Sequence, residues 1–394
     1  NSLKQTVAVV WSGIWNFIGV YIGGIAVAMV IVNLLPVELL VDQNVSHGMA
    51  MIFALLLSAI IWNFSTWYLG LPASSSHTLI GSILGIGIAY GFTPGASEMA
   101  VNWGKAREIG LSMLVSPLFG FGFAILMMFL FKRIIKNESI YREPIPGKKP
   151  PLWIRTILIT TCSLVSLGHG SNDGQKGVGL IMLILIGILP ARFALDTTNN
   201  IKNTIVQVTQ IHETLTNLDI SKFSKDELTF LYNIKTNCDN VLEALKNKTS
   251  SNEIPEEQRF VIRKSILFIA SDCKKLLNGG NISLSKNDSD MLAKNIADMK
   301  SITDYAPDWV ILLISISLGL GTMIGWKRIV KTVGEKIGKE HMSYAQGASA
   351  EIVASITVGL SSFNGAPVST THVLSSGIAG TMVAKSGLKN LQKK

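Results

Sequence analysis

Two stretches 295 residues apart carry the same string of polar groups. Pro72-Ala73-Ser74-Ser75-Ser76-His77-Thr78-Leu79 matches Pro367-Val368-Ser369-Thr370-Thr371-His372-Val373-Leu374, and Gly70, Ile83 and Gly85 match Gly365, Ile378 and Gly380 at the same offset. Each trio of hydroxyls sits between a proline and an apolar run. A helix that begins there leaves its first N–H groups unpaired and carries the positive end of its dipole. With hydroxyl donors beside them, such groups suit an oxyanion. Two starts facing one another would clamp a tetrahedral anion from both sides, with Ser74, Ser75, Ser76, Ser369, Thr370 and Thr371 as ligands. The plainer alternative is that these hydroxyls cap and pack helices, which accounts for one copy more easily than for two. His77 and His372 either donate or titrate beside the anion or brace the turns, and a supporting role is the expectation.

A second polar string interrupts hydrophobic sequence: Gly168-His169-Gly170-Ser171-Asn172-Asp173-Gly174-Gln175-Lys176-Gly177. Ionisable side chains at membrane depth are costly and point to function. Asn172 and Asp173 offer oxygen ligands for a small cation, and Asp173 offers a proton site. The glycines predict an unwound stretch whose carbonyls add ligands. An aqueous loop between two short helices is the alternative, but each flank is too short to cross a bilayer alone.

The elements that must position these groups are membrane spans. The 394 residues are 48% hydrophobic and 15% charged, with a mean hydropathy of +0.39. Ordinary soluble domains carry about 25% charged residues. Apolar runs cover Thr6–Leu35, Gly48–Leu69, Thr78–Ala89, Ile109–Phe131, Trp153–Leu189, Pro307–Trp326, Ala345–Leu360 and Val368–Ala384. The first, second, fourth and sixth are long enough to span outright. Thr78–Ala89 and Val368–Ala384 are short and rich in Gly and Ser, and predict re-entrant hairpins sheltered by protein. Trp62, Trp67, Tyr68, Trp153, Trp309 and Trp326 fall near predicted ends, as an interfacial belt would.

Charge sorts the rest. Arg192 to Asp308 holds 15 Lys and Arg against 16 Asp and Glu, so the net charge of +9 belongs to the hydrophobic part. That distribution is not a nucleic-acid-binding patch. Lys132–Arg155 and the cluster Lys327, Arg328, Lys331, Lys336 and Lys339 are basic and predict cytoplasmic loops, whereas Pro36–His47, with Glu38 and Asp42, predicts the outside. Equivalent loops of opposite sign before the two hydroxyl strings imply halves of inverted topology. The polar stretch at 191–305 predicts a small helical domain inserted between the halves, facing outside by parity. Within it, Cys238 and Cys273 leave two readings open, a disulfide in an oxidising compartment or two unpaired buried thiols. The cysteines have no metal-ligand spacing.

At these motifs the chain resembles the inorganic phosphate transporter (PiT) family. Gly170-Ser171-Asn172-Asp173-Gly174-Gln175-Lys176-Gly177 is similar to the family's G-A-N-D-x-Q-K-G signature, with Ser171 where Ala is usual. Leu71–Gly87 and Pro367–Gly380 resemble its two hydroxyl-rich hairpins, and Gly325-Trp326-Lys327-Arg328 with Gly334-Glu335-Lys336-Ile337-Gly338 resemble stretches that follow its central domain. The likeness is strongest to bacterial low-affinity phosphate permeases. It implies phosphate ligation by the six hydroxyls, a coupling site at Asn172, Asp173, Gln175 and Lys176, and residence in the bacterial inner membrane. It implies symport with H+, in part as a neutral metal–phosphate complex with Mg2+. Na+ coupling, or carriage of another oxyanion such as sulfate, is the alternative. No resident cofactor or metal and no nucleic-acid partner is expected; lipid surrounds the spans, and a homodimer is left open. The family's first Asn-Asp copy and a closing helix have no match here, so truncation at both ends is expected.

The expectation is thus an all-α polytopic membrane protein, an inverted-repeat transporter with two re-entrant hairpins. Its parts are a first membrane half (1–135), a basic loop (136–151), a broken signature helix (152–190), the hydrophilic insert (191–305) and the remaining half (306–394). An intramembrane hydrolase built from Ser, His and Asp is disfavoured. A nucleophile needs one base and one orienting group in one place, and here the Ser-His element is duplicated.

Overall fold

The computed structural model describes residues 2–34, 45–92, 101–145, 147–218, 220–221, 223–278, 285–335 and 337–392. Most of the acidic loop Pro36–His47, with Glu38 and Asp42, and Lys336 of the basic cluster lie outside them. Among the described residues the secondary structure is helical, with one isolated β-bridge between Gly338 and Leu391. The chain forms two compact units, one from Asn1–Pro36, Ala50–Met182 and Ala306–Lys394, the other from Val37–Met49 and Leu183–Tyr305.

In the first unit the helices are α1 (Gln5–Ile22), α2 (Ala26–Val32), α3 (Val45–Tyr68, whose start falls in the other unit), α4 (Ser75–Gly91), α5 (Trp103–Ile134) and α6 (Leu152–Ile188, which runs on past the unit boundary). Among the described residues, four stretches are long and apolar enough to cross a membrane: Gln5–Ile22, Met49–Tyr68, Trp103–Ile134 and Leu152–Ile188. Phe53, Leu57, Ile60, Ile61, Trp62 and Phe64 leave α3 with a continuous exposed apolar surface. Lipid, not water, tolerates a surface of that kind.

Two expectations about breaks are corrected. The run Thr6–Leu35 is not one span: α1 ends at Ile22 and α2 begins at Ala26, with Gly24 at φ +76° between them. L side chains rarely adopt that conformation, and Gly adopts it at little cost. The span Trp153–Leu189, expected as a broken helix, is one continuous helix of 37 residues. Its glycines serve close approach. A Cβ at Gly170 would strike the Asn16 carbonyl, one at Gly174 would strike the Val20 side chain, and one at Gly19 would strike the Leu167 carbonyl. A helix tolerates each glycine for about 1 kcal/mol, and here they let α1 and α6 pack backbone to backbone. Pro307–Trp326 is also shorter than a full crossing: its helix stops at Met323, and Gly325 takes φ +74°.

The second unit holds α7 (Ile201–Thr216), α8 (Lys225–Leu245), α9 (Glu256–Asn278) and α10 (Lys286–Lys300). Each packs against two others, α7 and α9 both contacting α8 and α10, around a core that includes Val208, Ile211, Leu231, Ile234, Ile266 and Ile269. Ser224 and Glu227 form a capping box that opens α8. Where the chain enters and leaves this unit, the Asp196 N–H donates to the Ile302 carbonyl at 2.8 Å. The buried Arg263 guanidinium donates to the carbonyls of Ala194 (3.0 Å) and Thr303 (2.8 Å) and ties the same two ends together. Cys238 and Cys273, which sequence left open as a disulfide, are unbonded thiols in this core. Burial, with Asp239 adding to it, pushes the Cys238 thiol up to about 12. Burial likewise raises Cys273.

The first unit is completed by α11 (Asp308–Met323), α12 (Trp326–Glu335), α13 (Tyr344–Phe363) and α14 (Thr370–Ser386). Here α14 packs on α5 and α13, and α1 packs on α11. A clamp at the end of α3 places the first hydroxyl string. The Arg328 guanidinium donates to the Tyr68 carbonyl at 2.6 Å, the Thr332 hydroxyl donates to the Gly70 carbonyl at 3.0 Å, and the Trp67 indole N–H donates to the Gly325 carbonyl at 3.0 Å.

Candidate functional site

The duplicated sequence folds twice into the same local structure. Gly70 (φ +68°) and Gly365 (φ +66°) end the helices that precede the two strings. In the first copy the Leu71 N–H donates to the Thr66 carbonyl at 2.9 Å, and in the second the Ala366 N–H donates to the Ser361 carbonyl at 2.8 Å. This is the reach of a Schellman turn, and Gly at its left-handed position is what makes it available. Ser74 and Ser369 then act as N-caps, their Oγ atoms accepting from the N–H of His77 (3.3 Å) and of His372 (3.2 Å). The helices that follow, α4 and α14, are each 17 residues long. The oxygen of the first hydroxyl in each trio thus accepts from its own helix.

The second hydroxyl of each trio meets Asp173. Ser75 Oγ donates to Asp173 Oδ2 at 3.4 Å and Thr370 Oγ1 donates to the same oxygen at 3.3 Å. His169 Nε2 lies 3.1 Å from it. Two helix N-termini and two hydroxyls from the two copies thus converge on one anion, and that anion is the protein's own carboxylate. Across the junction the rings of His77 and His372 stand 4.8 Å apart. The third hydroxyls differ: Ser76 is buried and donates to the Val368 carbonyl at 3.0 Å, while Thr371 is half-buried.

The other oxygen of Asp173, Oδ1, holds the Lys176 ammonium at 2.6 Å. Lys176 is 3% exposed. Its Nζ also donates to Ser76 Oγ at 2.5 Å and to the Val368 carbonyl at 2.6 Å. An ammonium has three N–H donors, and all three are engaged by protein oxygens. On a continuous helix, Asp173 and Lys176 are three residues apart and share one face.

Asn172 and Gln175, expected in the coupling site, brace backbone. Asn172 is fully buried; its Nδ2 donates to Ser362 Oγ (3.1 Å) and the Ala366 carbonyl (3.3 Å), and its Oδ1 accepts from the Val368 N–H (3.4 Å). It therefore fixes the segment that leads into α14. Gln175 seals the break between α1 and α2: its Oε1 accepts from the Val27 N–H at 2.7 Å and its Nε2 donates to the Gly23 carbonyl at 2.6 Å. Buried backbone groups left open by a broken helix need such partners.

Sequence reasoning missed three residues. His169, within the glycine-rich string, lies four residues before Asp173 on the same helical face. Its Nδ1 meets Asn16 Oδ1 at 2.8 Å, and Asn16 Nδ2 donates to Thr322 Oγ1 at 3.2 Å. The buried Asn16 thus orients His169, and nothing local in α1 announces it. Glu351, an acid inside the apolar run of α13, accepts a hydrogen bond from the Thr161 hydroxyl of α6. An intramembrane acid was signal enough to find it. Among the described residues no group of three or more His, Cys, Asp or Glu is arranged to hold a metal ion.

A family described as the phosphate transporter family matches residues 1–394. The chain is 43% identical over 407 residues to a low-affinity inorganic phosphate transporter of Buchnera aphidicola subsp. Acyrthosiphon pisum (strain APS), covering 97% of this chain and 82% of that protein. It is 40% identical over 426 residues to the low-affinity inorganic phosphate transporter PitA of Escherichia coli (strain K12), covering 100% of this chain and 85% of that one. A solved structure titled the sodium-dependent phosphate transporter aligns with 98% of this chain and 81% of its own, at 19% identity and a TM-score of 0.48. The family match over the whole chain, together with helices long and apolar enough to cross a bilayer, makes this chain an integral membrane transport protein, not an enzyme, and a member of the phosphate transporter family.

Proposed function

We propose that the chain carries inorganic phosphate across the bacterial inner membrane by proton symport, with phosphate taken between the N-termini of α4 and α14. One observation carries the reading: Ser75 and Thr370, from the two sequence copies, donate to the same oxygen of one carboxylate. Each hydroxyl has a single O–H to give. Asp173 and a phosphate oxygen therefore compete for both donors. A proton placed on the Asp173–His169 pair weakens the carboxylate's hold and releases the hydroxyls and helix ends to phosphate. Loading cation and anion together follows from that competition: Lys176 already balances Asp173, so the added proton offsets charge that the phosphate itself brings, which is costly at low dielectric.

The same carboxylate favours phosphate over sulfate. Phosphate near neutral pH carries a P–OH that can donate to Asp173; sulfate has no proton to give that acceptor. A site that demands a donor rejects an analogue lacking it far more strongly than shape alone would. Magnesium travels as part of the cargo, lowering the charge of the phosphate. The duplicated turns support halves of inverted topology in which α4 and α14 are the inner limbs of re-entrant hairpins, alternating access by rocking about the junction.

The test is labelled phosphate uptake by the full-length protein in proteoliposomes, under a proton or a sodium gradient, each with and without magnesium. Proton-driven uptake that magnesium raises, and that excess sulfate leaves unchanged, is the expected result. Uptake driven by sodium alone would move the coupling to the other cation, and uptake blocked by sulfate would overturn the anion assignment.

A further inference from the structure

The surroundings of Lys176 have the composition of a cation site. A carboxylate oxygen (Asp173 Oδ1), a hydroxyl (Ser76 Oγ) and a backbone carbonyl (Val368) lie 2.6, 2.5 and 2.6 Å from Nζ. They come from three separate places in the chain: the middle of α6, the first turn of α4 and the segment that leads into α14. Mixed hard oxygens of this kind are what a small hard cation takes. Here the charge at their centre is covalently tethered. Lys176 is 97% buried by virtue of its 3% exposure, and each of its three donors has a protein oxygen, which leaves none to bind substrate. Its charge balances Asp173 inside the membrane, where an unpaired ion is costly.

We propose that the Lys176 ammonium is a built-in cation that holds the place a free monovalent cation would take, so that the transport cycle runs without Na+. The idea rests on the symport reading above and deepens it by assigning why one cation is excluded. The ammonium joins Asp173 to the starts of both hydroxyl strings, the job a bound Na+ would do by coordinating the same three oxygens. Because the lysine never leaves, the cation that is loaded and released must bind elsewhere on the cluster, which leaves the Oδ2 side of Asp173 and His169. Shortening Lys176 should open the oxygen cage to Na+.

The experiment is gradient-free exchange of labelled phosphate by the full-length protein in proteoliposomes, in sodium chloride or choline chloride at equal ionic strength. Wild type is expected to exchange equally in both. Lys176→Ala is expected to exchange poorly in choline and to gain about tenfold in sodium, which corresponds to about 1.4 kcal/mol of cation binding. Lys176→Met, which fills the cage without a charge, should show no rescue. A thermal-shift titration of detergent-solubilised Lys176→Ala with NaCl reads the same cage without phosphate: stabilisation by Na+ beyond that by choline is expected. If Lys176→Ala does not fold, Lys176→Asn takes its place. Wild-type exchange that requires Na+ overturns the proposal whatever the variants do. So does a folded Lys176→Ala that is blind to Na+ in both assays. Wild type that exchanges no phosphate in either salt would overturn the phosphate reading instead, and the thermal shift would still decide the cage.

Discussion

In the proposed site Ser75 and Thr370 would each turn one O–H from Asp173 to phosphate, so each substitution by Ala should weaken phosphate binding by about 1 kcal/mol, a several-fold rise in KM. Because both donate to one oxygen, the double variant should cost measurably less or more than the sum, and a double-mutant cycle on uptake kinetics reads that coupling. Ser74 and Ser369 are a contrast. They cap helices, so Ser→Ala there should lower thermal stability by about 1 kcal/mol, and Ser→Asn, another good cap, should restore it. Asp173→Asn should abolish proton-coupled uptake. It also strands the buried Lys176 charge, at about 3–5 kcal/mol of stability, so expression and unfolding must be followed alongside transport. Adding Lys176→Met to Asp173→Asn should recover stability without recovering uptake; recovered uptake would remove Asp173 from the coupling role.

At the scale of elements, the packing of α1 on α6 depends on missing side chains. Gly170→Ala and Gly174→Ala put a Cβ into Asn16 and Val20, and overpacking of this kind costs about 1–3 kcal/mol. Both variants should unfold at lower temperature in detergent, and Gly170→Ala should also disturb the Asn16–His169 hydrogen bond. Gln175→Ala leaves the Gly23 carbonyl and the Val27 N–H without their partner, at about 1–3 kcal/mol for each group. In the second unit the thiols Cys238 and Cys273 are held protonated by burial. They should resist alkylation at pH 8 until the protein unfolds. The sign of the linkage follows. An unfolded cysteine releases its proton near pH 8.5, while folded Cys238 keeps it up to about 12, so the stability they contribute is complete below the unfolded value and falls as pH rises above it.

For the whole molecule, two compact units with separate cores predict separate unfolding transitions. Arg263→Met removes the guanidinium that joins the Ala194 and Thr303 carbonyls. It should shift the transition of the inserted unit and leave the other in place, which calorimetry would show. Continuity of α6 also sharpens the topology prediction. A helix of 37 residues is about 55 Å long, enough for one crossing of a bilayer. Single cysteines introduced at Asn137 and Asn217 in a cysteine-free background should therefore label from opposite sides, the second by an impermeant maleimide on intact cells. Labelling of both from one side would refute that crossing.

The chain by itself determined what local chemistry can determine. A proline, three hydroxyls and a histidine before an apolar run prescribe a capped helix start, and writing the string twice prescribes two of them, because caps and Schellman turns depend on neighbours a few residues apart. The apolar runs and their charged borders likewise prescribed membrane helices and a polar insert. Tertiary structure decided the rest. The glycines of the Asp173 string read as a break because a glycine's cost is local and its benefit, the approach of α1, is not. The break lies instead at Gly23–Gly24, where an amide 152 residues away in sequence from Gly23 completes the backbone hydrogen bonds. Nor could the sequence say that Lys176 would have every donor occupied, or that Asn16 would orient His169, since both depend on oxygens that only folding brings within 3 Å. Local patterns state which groups are available; only the packing of distant segments settles which partner each of them keeps.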